Sequence, residues 1–144
     1  MARSSDPLIH AIGDVTRRPS ALYARMVRLE SVPNALEQAK QAAADLCGRP
    51  PPPPEVPWFW SDQYDLKLQI AGLPFDVART VVRGSIDDAK FAVFHLDAED
   101  RLQAVEAINM PDAFLGGRQL IGSRKPVSAE KLADVATSMK AVAV

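Results

Sequence analysis

One cysteine, Cys47, and two histidines are all that this 144-residue chain offers of the usual metal-binding side chains. A lone thiol builds neither a disulfide framework nor a thiolate metal cage. His10 and His95 stand far apart, with no carboxylate or cysteine at ligand spacing, so no metal site is expected. Charge of either sign is also missing in excess. Seventeen basic residues against eighteen acidic ones give a net charge of −1, which supplies no electrostatic reason to expect nucleic acid or an anionic membrane as partner. No apolar run approaches the length of a membrane span and no apolar signal core opens the chain, so the expected location is cytoplasmic. Glycine-rich phosphate loops are absent too. There is no G-x-G-x-x-G, and the pair Gly116-Gly117 lies in the wrong context, so an adenosine and pyrophosphate cradle has no visible residues. No serine, lysine or aspartate sits in a recognisable nucleophile setting, and no catalytic residue is assigned.

What is present is a globular composition, 47% apolar and 24% charged, enough for one modest core or one small domain with an appended piece. The apolar run Leu8-Ile-His-Ala-Ile12 ends at Gly13-Asp14 and predicts a buried strand followed by a turn. Such a strand cannot stand alone, because its backbone donors and acceptors need neighbours. Ser31 predicts a helix cap, Pro33 suits the first turn, and an alanine-rich stretch runs to Cys47, where Gly48 stops it. Leu36, Ala39, Ala43 and Leu46 follow helical spacing, which predicts a narrow contact face against another element. Five prolines, Pro50 to Pro54, then form a stiff extended spacer of about 15 Å. A docking peptide for a proline-reading domain is the lesser reading of that run.

Beyond the prolines the period changes to two. Leu66, Leu68 and Ile70 alternate with Lys67 and Gln69, the mark of a strand with one wet face. Thr80 to Arg83 predicts a second strand, and Lys90–Leu96 with Leu102–Ile108 a hairpin. Helices are predicted from Pro111 to Leu120 or Ile121 and from Ser128 to about Val142, the latter with Leu132, Val135, Met139 and Val142 on one side. The Gly116-Gly117 pair weakens the first of these. The expected fold is α+β, a small antiparallel sheet covered by helices. The expected division is residues 1–48, a linker at 49–55, and a domain at 56–144.

Three motifs occur in one order: Ala11-Ile-Gly-Asp14, Arg28-Leu-Glu-Ser-Val-Pro-Asn-Ala35, and Val56-Pro-Trp-Phe-Trp-Ser-Asp-Gln-Tyr-Asp65. Together they resemble the flavin-facing end of the FAD-dependent ferredoxin reductases that serve oxygenase systems, over roughly residues 4 to 125. The resemblance implies that residues 1–48 are the last strand and helix of an FAD-binding domain and that 56–144 are the reductase C-terminal domain. It implies that Asp14 holds the ribityl chain and that Gly13 lets the ligand approach the backbone. It also implies that the backbone at Val32, led in by Glu30, meets the flavin at the helix N-terminus, where unpaired N–H groups and a partial positive charge suit the ring's pyrimidine edge. Trp60 is implied to lie on the flavin side of a tryptophan-rich turn, with Trp58 packing. Read from residues alone, Gly-Asp is an ordinary turn, Ser31 an ordinary cap, and the tryptophans core anchors.

The resemblance further implies electron transfer from NAD(P)H through FAD to a [2Fe–2S] ferredoxin in a complete enzyme. Because the glycine-rich loops are lacking, this chain alone is expected to bind FAD weakly or not at all, and to need an upstream half, which could be a separate polypeptide. Arg25 and Arg28 could add to a basic surface for an acidic ferredoxin. The competing reading is a non-enzymatic interaction or oligomerisation module, self-associating through the apolar edge at Leu8 to Ile12.

Overall fold

The computed structural model describes residues 2–144, which divide into two compact units, Met1–Pro57 and Trp58–Val144. The first unit begins with a turn, closed by an isolated bridge between Arg3 and His10. A 3-10 turn follows at Gly13–Val15, then two short antiparallel strands, β1 (Arg18–Ser20) and β2 (Arg25–Val27). Helix α1 spans Val32–Leu46. Its boundaries are chemical: Ser31 accepts from the Asn34 N–H, Pro33 sits in the first turn, and Gly48 adopts φ +65° just past the end, a left-handed position that glycine takes without steric cost.

Two expectations fail in this unit. Leu8 to Ile12 form no strand, and Leu8, Ile9 and Ile12 are exposed. The cause is the one that makes any single strand unstable, the lack of a neighbouring ladder for its backbone groups. The helix also faces the other way. Leu36 and Leu46 are 58% and 73% exposed, while Asn34, Gln38, Gln41 and Ala42 form the buried side.

The second unit is a five-stranded antiparallel sheet, β3 (Trp58–Gln63), β4 (Leu66–Gly72), β5 (Arg79–Ser85), β6 (Lys90–Leu96) and β7 (Leu102–Ile108), in the order β3-β4-β7-β6-β5. The period-two reading found four of these strands, and the β6–β7 hairpin has the expected limits. The tryptophan segment, expected as a turn, is edge strand β3, paired with β4 through Trp58↔Ala71 to Gln63↔Leu66. Helix α2 (Pro111–Ser123) lies on β7 and β4, burying Ala113, Phe114, Gly117, Leu120 and Ile121. Its glycine pair is a packing device. A Cβ on Gly117 would stand 2.6 Å from Val105 Cγ1, and one on Gly116 2.5 Å from Met139 Cβ, so the helix approaches its neighbours more closely than any larger residue allows.

The long C-terminal helix does not form. Helix α3 covers only Ala129–Ala133, and a 3-10 turn follows at Met139–Ala141. Arg83 explains the break. Its buried guanidinium donates to the carbonyls of Leu132, Asp134, Val135 and Thr137 at 2.7–3.3 Å. Those four acceptors converge on one side chain, which a continuous helix with all its carbonyls parallel to the axis cannot arrange. The fold is α+β, as expected.

Candidate functional site

In the first unit the turn at Gly13–Val15 is fastened to α1 by a single amide. Gln38, 2% exposed, accepts from the Gly13 N–H at 3.0 Å and from the Thr16 hydroxyl at 3.0 Å. The Thr16 hydroxyl also lies 2.8 Å from the Gly13 carbonyl. Gly13 adopts φ +77°, and a Cβ there would stand 3.9 Å from that of Ala35. The positive φ is the backbone's reason for glycine. Asp14 follows it with an exposed side chain in the first turn of the 3-10 segment.

At the leading end of α1, Pro33 has no N–H to give, Asn34 N donates to Ser31 Oγ, and Ala35 N donates to the Ser31 carbonyl. The remaining donor of that turn is the Val32 N–H, on a residue 59% exposed. Glu30, two residues earlier, is exposed and pairs with Arg28 at 2.9 Å. Gly13, Asp14, Glu30 and Val32 are therefore carried by two adjoining pieces, the 3-10 turn and the start of the helix to which it is fastened. Trp60 belongs to the other unit. There its ring stacks on Trp58 at 5.4 Å, and Trp60 remains 39% exposed. Trp58 takes a packing position, 6.0 Å from Phe114 and under the Arg118 guanidinium at 5.5 Å.

Sequence reasoning passed over the residues that hold this end in shape. Asn34 donates to the Leu29 carbonyl, Gln38 donates to Asn34, and Arg18 bridges Asn34, Glu37 and Gln41 at 2.8–3.3 Å. The signal was available as a row of amides at Asn34, Gln38 and Gln41, spaced like the apolar row on the opposite side. At the far end of α1, Asp45 receives Arg3 Nε and His10 Nε2, each at 2.6 Å. The hydrogen bond from Arg3, then that from His10, holds the Asp45 carboxyl below the usual carboxylate range. In the second unit burial pushes the Asp97 carboxyl up, but hydrogen bonds from Arg101 and the Glu99 N–H outweigh it and bring Asp97 below that range. Among the described residues no three His, Cys, Asp or Glu side chains gather as a metal site, and no helix is long and apolar enough to cross a membrane.

A family model described as reductase C-terminal matches residues 58–143, the whole of the sheet and its helices. The chain belongs to the reductase C-terminal family. It is 53% identical to the probable ferredoxin reductase CtmF of Castellaniella defragrans over 144 residues, covering 99% of this chain and 35% of that protein. It is 47% identical to the putidaredoxin reductase CamA of Pseudomonas putida over 140 residues, covering 97% and 33%. Among solved structures, the covalent putidaredoxin reductase–putidaredoxin complex superposes with a TM-score of 0.90 at 47% identity, over 96% of this chain and 33% of that one. This reductase C-terminal chain thus spans about a third of the length of the curated relatives it matches. Their names place the origin of the domain among electron-transfer reductases.

Proposed function

We propose that this chain is the C-terminal portion of an FAD-dependent NAD(P)H:ferredoxin oxidoreductase that reduces a [2Fe–2S] ferredoxin. In that reading residues 1–48 close the FAD-binding domain, 49–55 are a linker, and 56–144 are the reductase C-terminal domain. The observation that supports it is the fastening of the Gly13–Val15 turn to α1 through Gln38, in a chain 47% identical to putidaredoxin reductase CamA.

The residues fit the cofactor. Asp14 presents a carboxylate that accepts from sugar-like hydroxyls, Gly13 keeps the backbone beside it bare, and the Val32 N–H points out of a helix start that favours an electron-rich edge. FAD, when bound, supplies the redox chemistry between the nicotinamide and the ferredoxin. This chain's residues grip one end of it, so the upstream part must supply the rest. A free-standing interaction module is not favoured, since the relatives are reductases along nearly the whole of this chain.

The test places this chain in a chimera, as the C-terminal third of CamA, and counts flavin per protein. The expected result is a yellow chimera, whereas the isolated chain stays colourless with added FAD and shows no diaphorase activity. Asp14→Ala should lower flavin affinity about tenfold, the effect of one lost hydrogen bond. Tight yellow binding by the isolated chain, or a chimera indifferent to Asp14, would overturn the assignment.

A further inference from the structure

Between Leu132 and Val142, both fully buried, the chain runs along the surface of the second unit. Of residues 133–141 only Thr137 and Met139 turn inward, and the rest are exposed. Thr137 is already engaged: its hydroxyl donates to Asp134 at 2.7 Å and its carbonyl accepts from Arg83. Beyond the reach of Arg83, Met139 is the one side chain that pins this stretch before Val142. Its seat is Gly116 on α2. A Cβ at Gly116 would stand 2.5 Å from Met139 Cβ, 3.0 Å from its Cγ and 3.3 Å from its Cε. The thioether therefore lies flat along bare helix backbone, in a place made by the missing side chain. It is not sealed there. Met139 lines a cavity of about 710 Å³ between β5 and the start of α2, and a second of about 490 Å³ beside Leu115 and Ser138. A small solute reaches the sulfur from either side.

We propose that Met139 is a reversible oxidation site, whose conversion to the sulfoxide by a peroxide frees the 3-10 turn at Met139–Ala141 from α2. The sulfur lone pair takes the outer hydroxyl oxygen of the peroxide and the O–O bond breaks. The hydroxyl proton passes to the departing oxygen, which leaves as water or an alcohol, so sulfur is oxidised as the peroxide is reduced. A dithiol reverses the step: it becomes a disulfide, and the sulfoxide oxygen leaves as water. The consequence is one of packing. A sulfoxide is a strong dipole that needs a hydrogen-bond donor. Gly116 has no side chain to give one, and its N–H is committed within the helix, so the oxidised side chain turns out to water and the turn loses its anchor. The other described methionines differ. Met26 is 46% exposed, so an added oxygen there faces solvent. Met110 precedes α2, which Phe114, Leu120 and Ile121 hold in place without it.

The experiment treats the folded chain with graded hydrogen peroxide and maps added oxygen by peptide mass. The exposed thiol is first removed by Cys47→Ser so that it does not compete. Oxygen is expected on Met26 first and then on Met139, while the amides of β6 and β7 keep their protection. The amides of Ser128, Ala141 and Val144 donate to the carbonyls of Val142, Ser138 and Pro126. Their exchange should quicken about tenfold as Met139 is oxidised, and a peptide methionine sulfoxide reductase with dithiothreitol should slow it again. Met139→Leu should hold the turn and lose the response, and Met110→Leu should keep the response. Met139→Gln, polar and flexible like the sulfoxide, should quicken exchange without peroxide. An oxidised Met139 with unchanged exchange would overturn the proposal. So would oxygen reaching Met139 only once β6 and β7 have lost protection, or a response that survives in Met139→Leu. Should Met139→Leu not fold, the reductase decides on the parent chain: restored protection supports the site, and protection that stays lost refutes it.

Discussion

The two units solve the same problem with opposite materials. Residues 58–144 bury fifteen apolar side chains, among them Phe94, Leu96, Leu102, Ile121 and Leu132, around a sheet and a helix. Among the described residues of the first unit three apolar side chains are buried, Tyr23, Val27 and Ala42, and its helix is held instead with Asn34, Gln38, Gln41 and Arg18. Apolar burial contributes about 25 cal/mol per Å² without regard to direction. A typical buried hydrogen bond contributes only about 1 kcal/mol net and demands one geometry. The sheet unit is thus built to be stable by itself, and the first unit to be accurate in shape while deriving little stability from its own interior.

The sharpest way to break the comparison is to remove the polar group on which the apolar unit does depend. Arg83→Ala leaves the carbonyls of Leu132, Asp134, Val135 and Thr137 without their shared donor. The expected loss is about 3 kcal/mol, at the upper end for buried charged hydrogen bonds, read from urea unfolding followed by the tryptophans, both in this unit. Arg83→Lys should recover less than half, because an ammonium cannot span four carbonyls in a fork. An unfolding midpoint unmoved by Arg83→Ala would show that the C-terminal segment is held by its apolar contacts alone.

Next in size is Gly117→Ala. The new methyl meets Val105, a β-branched residue with little freedom to turn away. A loss of about 2 kcal/mol is expected from overpacking, despite the gain of nearly 1 kcal/mol in helix propensity. A stabilised variant in the same unfolding experiment would mean that α2 can lift from β7.

Gln38→Ala in the first unit should cost about 1 kcal/mol or slightly more, and the loss should be local. Faster hydrogen exchange is expected at Gly13 and along α1, with no change in the tryptophan-reported transition. Equal loss in both units would erase the distinction drawn above.

The same contrast decides what could be read from the letters. In residues 66–108 alternation of apolar and polar residues is a direct image of a sheet with one face buried, so β4, β6 and β7 were legible almost to the residue. The helix start at Ser31 and its stop at Gly48 were legible because caps are local chemistry. Three features depended on partners distant in sequence and were not. The apolar row on α1 predicts an inner face, yet apolar spacing does not say which side is covered, and Leu36 and Leu46 are exposed. The break after Ala133 needed Arg83, which lies about fifty residues earlier. Leu8 to Ile12 read as a strand because its composition is that of one, yet among the described residues no ladder receives it. The residues proposed to meet the cofactor were named only by family resemblance, since Gly13-Asp14 and Glu30-Ser31-Val32 are by themselves a turn and a cap.

The smallest effect concerns acid. The Asp45 carboxyl, held below its ordinary range by Arg3 and then His10, ties the N-terminal turn to the last turn of α1. A carboxyl whose folded value is depressed contributes stability above its unfolded value, about 4, and that contribution is lost as pH falls through the folded value. Amide exchange or NMR shifts at Arg3 to His10 should therefore hold steady from neutral pH down to about 4 and report loosening only below it. Asp45→Asn should abolish this acid step while leaving the signals of Trp58 and Trp60 unchanged, because those rings belong to the other unit. If the turn instead loosened well above pH 4 in the Asn variant and the parent alike, Asp45 would not be the group that ties it. The contrast between a directional polar fastening and an indifferent apolar core would then have to rest on Gln38 and Arg18 alone.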